Sequence, residues 1–132
     1  MIEKAIYYRL SHASTVTALT STRIYNLELP QETTMPAIVF SRINTNRDLI
    51  SHGGALGLAE SIIQVSLYAD TVPEVRALSE AVRKTLHVYK GTNNGVEILL
   101  SRLINEVDLF DSELEVYHVA MDFQVKFREA TA

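Results

Sequence analysis

From Glu115 to Arg128 the side chains alternate without a break: Tyr117, Val119, Met121, Phe123, Val125 and Phe127 fall on one side, and His118, Ala120, Asp122, Gln124, Lys126 and Arg128 on the other. Successive residues of a strand point to opposite faces, so this segment is a strand with one face in a core. Such a face must be covered, and the best cover in the chain begins at Thr71-Val72-Pro73-Glu74. The Thr-x-x-Glu spacing is that of a capping box, and Pro73 fits because it lies in a first turn. Beyond it Val75, Leu78, Val82, Leu86 and Tyr89 form one helical stripe, ended by Lys90 and Gly91. On its polar side the spacing predicts i,i+4 pairs of Arg76 with Glu80 and of Glu80 with Lys84.

The remaining elements follow from weaker periodicities. Ile2, Ala5, Ile6, Leu10 and Ala13 make the first dozen residues an amphipathic helix, and a short helical turn fits Val16 to Leu19. Arg23 to Leu29 alternates as a strand up to Pro30; Pro36 opens a second strand to Asn44; Ile62 to Ala69 is a third. Between the last two, the polar stretch from Asn44 to Leu58 holds three of the five glycines, which is poor core material and predicts a long mobile loop. Thr92-Asn93-Asn94-Gly95 is turn chemistry leading into a strand from Val96 to Val107. Between that strand and the alternating one lie Glu106, Asp108, Asp111, Glu113 and Glu115 with no base among them, and Leu109-Phe110 exposed in a predicted hairpin. The order α-β-β-β-α-β-β clusters strands in hairpins, which predicts an α+β fold with a largely antiparallel sheet and two main helices on one face, a single domain over 1–132.

Composition narrows the chemistry. A chain of 132 residues can bury about 65–70% of its unfolded surface and needs no staple. With 12 bases against 16 acids the net charge is −4, which disfavours a direct grip on nucleic acid. No cysteine occurs, so thiol nucleophiles and cysteine zinc sites are excluded. His12, His52, His87 and His118 are scattered without ligand spacing; His118 reads as solvated on a strand's polar side and His87 as solvated near a helix end. Gly53-Gly54-Ala55-Leu56-Gly57 lacks the Gly-Lys-Ser/Thr of a phosphate loop, and no Gly-x-Ser-x-Gly elbow is present. No metal, no cofactor and no enzymatic activity are expected. No run reaches the roughly 18 apolar residues of a membrane span, and Glu3 stands where a signal peptide would carry a base, so the expectation is cytoplasmic synthesis with no membrane partner.

Taken in order, M-I-E-K-A-I-Y-Y-R-L, then T-S-T-R-I-Y-N-L-E-L-P-Q with M-P-A-I-V-F-S-R-I, then S-I-I-Q-V-S-L-Y-A-D-T-V-P-E-V-R-A-L-S-E-A-V-R-K-T-L, and finally R-L-I-N-E-V-D-L-F-D with V-Y-H-V-A-M-D-F-Q-V-K-F-R, nearly the whole chain resembles the small tail-completion or tail-terminator proteins of long-tailed bacteriophages and related prophages. The resemblance implies a non-enzymatic virion protein at the head-proximal end of the tail. Such a protein assembles as a ring of six on the tail tube, stops tube growth and offers a surface to the head connector or head-completion protein. Its implied partners are further copies of itself, the major tail tube protein and that head protein. The family carries no catalytic motif to transfer. The candidate contact elements come from the residues themselves: Asn44, Arg47, Asp48 and His52 in the predicted loop, and Glu106, Asp108, Leu109, Phe110, Asp111 and Glu113 in the predicted hairpin. The alternative is an assembly chaperone or adaptor that takes a partner strand on a sheet edge. A small-molecule enzyme would require a pocket with converging polar groups.

Overall fold

In chain order the elements are α1 (Ile2–Ser11), α2 (Ser14–Thr20), β1 (Ile24–Asn26), β2 (Ala37–Asn46), β3 (Leu58–Ala69), α3 (Val72–Leu86), β4 (Tyr89–Asn93), β5 (Val96–Asp111) and β6 (Val116–Arg128). The computed structural model describes residues 2–31, 33–46, 58–93, 95–113 and 115–128. The strands form one sheet in the order β1-β2-β3-β6-β5-β4. Only β1 and β2 run parallel; the other pairings are antiparallel.

The alternating segment is the middle of that sheet. Along β6, Val119, Met121, Phe123, Val125 and Phe127 are buried in one core cluster with Val75, Leu78, Val82 and Leu86 of α3 and Ile2, Ile6 and Leu10 of α1. Tyr117 packs at the margin. Burying each large apolar side chain contributes about 1.5–3 kcal/mol, so this shared face is the main source of stability. On β3, Ile63, Val65, Leu67 and Ala69 continue the same layer, in register with Phe123, Met121, Val119 and Tyr117. The opposite sheet face carries Gln64, Ser66 and Tyr68 beside Asp122, Ala120 and His118.

Helix α3 begins as its sequence dictates. Thr71 accepts the Glu74 N–H on its hydroxyl oxygen at 3.3 Å and donates that hydroxyl to the Glu74 carboxylate at 2.9 Å. Its end differs from expectation. The helix stops at Leu86, His87 caps it, and Val88 at φ 55° turns the chain so that Tyr89–Asn93 pairs with β5. The Tyr89 hydroxyl lies 2.3 Å from where a Cβ on Gly91 would stand, so the glycine is there for the ring that crosses it rather than to end a helix. Arg9 of α1 holds the same ring from above, its guanidinium carbon 4.2 Å from the ring centre, and donates to the Thr85 carbonyl at 3.1 Å.

The predicted order α-β-β-β-α-β-β is therefore corrected to three helices and six strands: α2 is a seven-residue helix and β4 is an added edge strand. The predicted strand from Arg23 to Leu29 shrinks to Ile24–Asn26, because Leu27 takes a left-handed φ of 77° and gives its N–H to the Phe40 carbonyl at 2.9 Å. The predicted loop from Asn44 to Leu58 narrows as well. Asn44, Thr45 and Asn46 pair with Ile62, Ser61 and Glu60, and Leu58 pairs with Arg128. Arg47, Asp48 and His52 lie outside the described residues. Of the expected helix pairs, Arg76 turns its side chain to Asp108 instead, while Glu80 binds Arg83 at 2.8 Å, three residues away, with the Lys84 charge still acting on it.

Candidate functional site

The expected acidic hairpin is mostly strand. Glu106, Asp108, Leu109, Phe110 and Asp111 all belong to β5, whose last pairings are Phe110 with Tyr117 and Asp111 with Val116 on β6; Glu113 sits in the turn. Because β4 pairs with β5 only from Val96 to Ser101, the far half of β5 has β6 on one edge and, among the described residues, no strand on the other. At the start of this edge the His87 ring, exposed to solvent as expected, accepts the Leu103 N–H at 3.0 Å and so also covers an edge donor. Beyond it β5 runs on as an outer edge of the sheet, the arm, carried by β6, which is itself paired with β3 from Tyr117 to Arg128.

The arm is unusual in what it leaves in water. Ile104, Val107, Leu109 and Phe110 are all exposed, Leu109 at 49% and Phe110 at 55%. Leu109 and Val107 share the outer sheet face with His118 and Ala120, while Phe110 lies on the helix side, edge-on to Tyr117 with ring centres 5.2 Å apart. A contiguous open edge flanked by apolar side chains is a template for another chain.

Charge fixes how the arm sits. The sequence lacks a base between Glu106 and Glu115, but α3 supplies one: Arg76 grips Asp108 with two hydrogen bonds, 3.1 Å and 2.7 Å. Those bonds hold the Asp108 carboxyl below its usual range and raise the guanidinium of Arg76. Asp111 accepts the Glu113 N–H at 3.0 Å and so shapes the turn. Near the arm's tip, opposite Leu109, Tyr68 and His118 stack with ring centres 4.4 Å apart. Burial pushes the His118 imidazole down, against an upward pull from Asp111, and pushes the Tyr68 phenol up, with Asp111 adding to it. The His118 Nε2 is buried without a hydrogen-bond partner. His118 is thus a half-buried stacking residue, and its expected solvated position is corrected. The signal for this was Tyr68 on an alternating neighbour strand, which sequence alone could not place in register.

Asn44 is exposed at the other end of the sheet. Its partner Ile62 stands opposite Gln124, whereas the arm's tip is level with Ala69 and Tyr117. Asn44, the described residue of the loop group, therefore lies at the opposite end of the strands from the acidic group. A cleft of about 340 Å³ is lined by Leu29, Pro30, Gln31, Thr33, Met35, Asp70 and Val116 beside the arm's tip, and among the described residues its wall carries one charged group, Asp70. No group of three His, Asp or Glu side chains among the described residues is disposed to hold a metal, and no helix among them is long and apolar enough to cross a membrane.

Residues 4–128 match the family described as tail completion protein gp17. A chain in the virion of a native gene transfer agent particle has the same fold, with a TM-score of 0.69 over 93% of this chain and 91% of that one at 14% identity. No curated protein sequence matches.

Proposed function

The chain belongs to the tail completion protein gp17 family, which makes it a structural protein of a phage-like tail, and from that premise we propose that it closes the head-proximal end of the tail tube as a ring of six copies, stops tube growth and joins tail to head. The observation that carries this reading is the open edge of β5 with its exposed apolar side chains, in a chain whose family acts in the virion. An open edge on a monomer invites uncontrolled pairing, and a closed ring removes it by giving every edge the same neighbour. Its partners in this reading are further copies, the major tail tube protein and a head connector or head-completion protein. The contact elements in this reading are Glu106, Asp108, Leu109, Phe110, Asp111 and Glu113, together with Asn44, Arg47, Asp48 and His52. No catalytic step is assigned.

The test is tail assembly without the chain, followed by add-back, read by electron microscopy. Tails of uncontrolled length that do not join heads are expected without it, and tails of uniform length with a six-fold ring at the head-proximal end after add-back. Deleting Ser51 to Gly57, or reversing Glu106, Asp108 and Asp111 to Lys, should keep the parental circular dichroism yet abolish capping. Tails of normal length that attach to heads in the chain's absence refute the reading. The same open edge supports a second reading, a chaperone or adaptor that binds a partner strand and then leaves. Quantifying the chain in finished particles separates the two, because a chaperone is absent there.

A further inference from the structure

The two ends of the β5–β6 ribbon differ in charge: the tip is acidic, while at the other end Arg102, Lys126 and Arg128 stand among Glu60, Glu97 and Asp122. The tip bears Asp111, Glu113 and Glu115 around Leu109 and Phe110, whereas toward the other end the outer face presents a cleft of about 250 Å³ lined by Leu100, Arg102, Gln124 and Lys126. In that cleft Leu100 stands opposite Lys126 and Arg102 opposite Gln124, so an apolar side chain sits between two cations on neighbouring strands. The cations are only lightly engaged: Arg102 donates twice to the neutral Gln124 side chain, and Lys126 is 4.0 Å from Glu60. At the tip the pattern is inverted, with Leu109 and Asp111 on the same outer face, paired with His118 and Val116.

We propose that the tip of one copy seats in the cationic cleft of the next, with Leu109 against Leu100 and the Asp111 and Glu113 carboxylates toward Arg102 and Lys126. The proposal rests on the ring reading and names the contact that builds the ring. Charge points to a second copy as the occupant, because the acidic tip complements a cleft whose lining carries Arg102 and Lys126. It also selects the direction, since two tips repel each other and so do two clefts. Tip and cleft are nine residues apart along β5, from Arg102 to Asp111, or about 30 Å at the rise of a strand. One chain therefore cannot satisfy its own cleft. When each copy gives its tip to one neighbour and its cleft to another, the contact is heterologous and closes into a ring if the rotation per subunit divides a full turn, whereas two copies that exchange tips reciprocally stop at a twofold dimer.

The absence of native cysteine makes the contact directly measurable. The doubly substituted chain Leu109→Cys/Leu100→Cys, bound to tail tubes and oxidised, should give a ladder of disulfide-linked species on a non-reducing gel, ending at the closed ring. Either single variant should remain monomeric, and a mixture of the two singles should give dimers. Reversing Arg102 and Lys126 to Glu should lower the cross-linked fraction about tenfold or more, and reversing Asp111 and Glu113 to Lys in the same chain should restore it. A ring visible on the tube without a ladder overturns this contact and leaves the ring reading standing. No ring on the tube overturns both. A product that stops at the dimer overturns the head-to-tail direction, and a loss on tip reversal that cleft reversal does not rescue assigns the tip to another protein and overturns the proposal.

Discussion

Replacing Met121 with Asp puts a carboxyl at the centre of the β3–β6–β5 layer. Met121 is fully buried beneath α3, opposite Val65 on one side and Glu106 on the other. Losing the methionine's packing costs about 2–5 kcal/mol. The new carboxyl ionises only with great difficulty there, and Glu106 makes that harder still. If its pKa rises from 3.9 to about 7, the protonation enforced at neutral pH costs about 4 kcal/mol more, at roughly 1.4 kcal/mol per pH unit. Together these approach the 5–15 kcal/mol total stability of a typical domain. The sign of the pH dependence follows. The native state keeps the proton while the unfolded chain releases it, so the variant's deficit grows as pH rises from about 4 to its folded pKa and is smallest in acid. Urea melts of the parent, Met121→Asp, the uncharged Met121→Asn and the surface control Leu109→Asp, taken between pH 4.5 and 7.5, check this. Met121→Asn should lose stability by an amount independent of pH relative to the parent, and Leu109→Asp should stay within about 0.5 kcal/mol. A Met121→Asp variant as stable as the parent, or one whose deficit does not change with pH, would refute the burial argument.

Other expectations are smaller and more local. Arg76→Ala frees the arm from α3, so the melting temperature should hold while protease cleavage and hydrogen exchange between Glu106 and Glu113 accelerate; unchanged exchange would mean the Arg76–Asp108 bonds do not tether it. His118 is pushed down by burial, so its folded form resists the proton that the unfolded chain accepts near pH 6.5, and the parent loses that contribution as pH falls below this value. His118→Phe should therefore gain on the parent between pH 7.5 and 5.5 in paired melts, and a constant difference would contradict it. Val88 is a β-branched residue at φ 55° and 63% exposed, so Val88→Gly should stabilise by about 1 kcal/mol, seen as a higher denaturation midpoint. Melts with and without a chelator should coincide, and a large drop would reveal a bound metal.

The residues that were legible in advance are those whose environment is set by their own neighbours in sequence. The β6 stripe, the Thr71–Glu74 cap and the exposed Leu109-Phe110 pair each need only a local period or spacing, and each stands where that period places it. What was hidden depends on register between distant segments. Lys90-Gly91 has the composition of a helix end and of an edge strand alike, and only the pairing of Tyr89 with Ser101 decides between them. Arg76 has Glu80 one turn away, yet the carboxylate it binds is 32 residues further on. The acids between Glu106 and Glu115 looked unbalanced for the same reason. Nor could the separation of Asn44 from that acidic group along the strands be read from the chain alone.

The sheet order carries a consequence for synthesis. β6 follows every other element in the chain and yet lies between β3 and β5. Until its residues leave the ribosome the β2–β3 hairpin and the β4–β5 hairpin share no hydrogen bond, and the apolar faces of α1 and α3 have no completed layer to rest on. A chain truncated anywhere before β6 is thus two fragments of a sheet, not a slightly weakened protein. It also leaves the outer half of β5, among the described residues, with no strand on either edge, so such a fragment exposes two open edges where the complete chain exposes one.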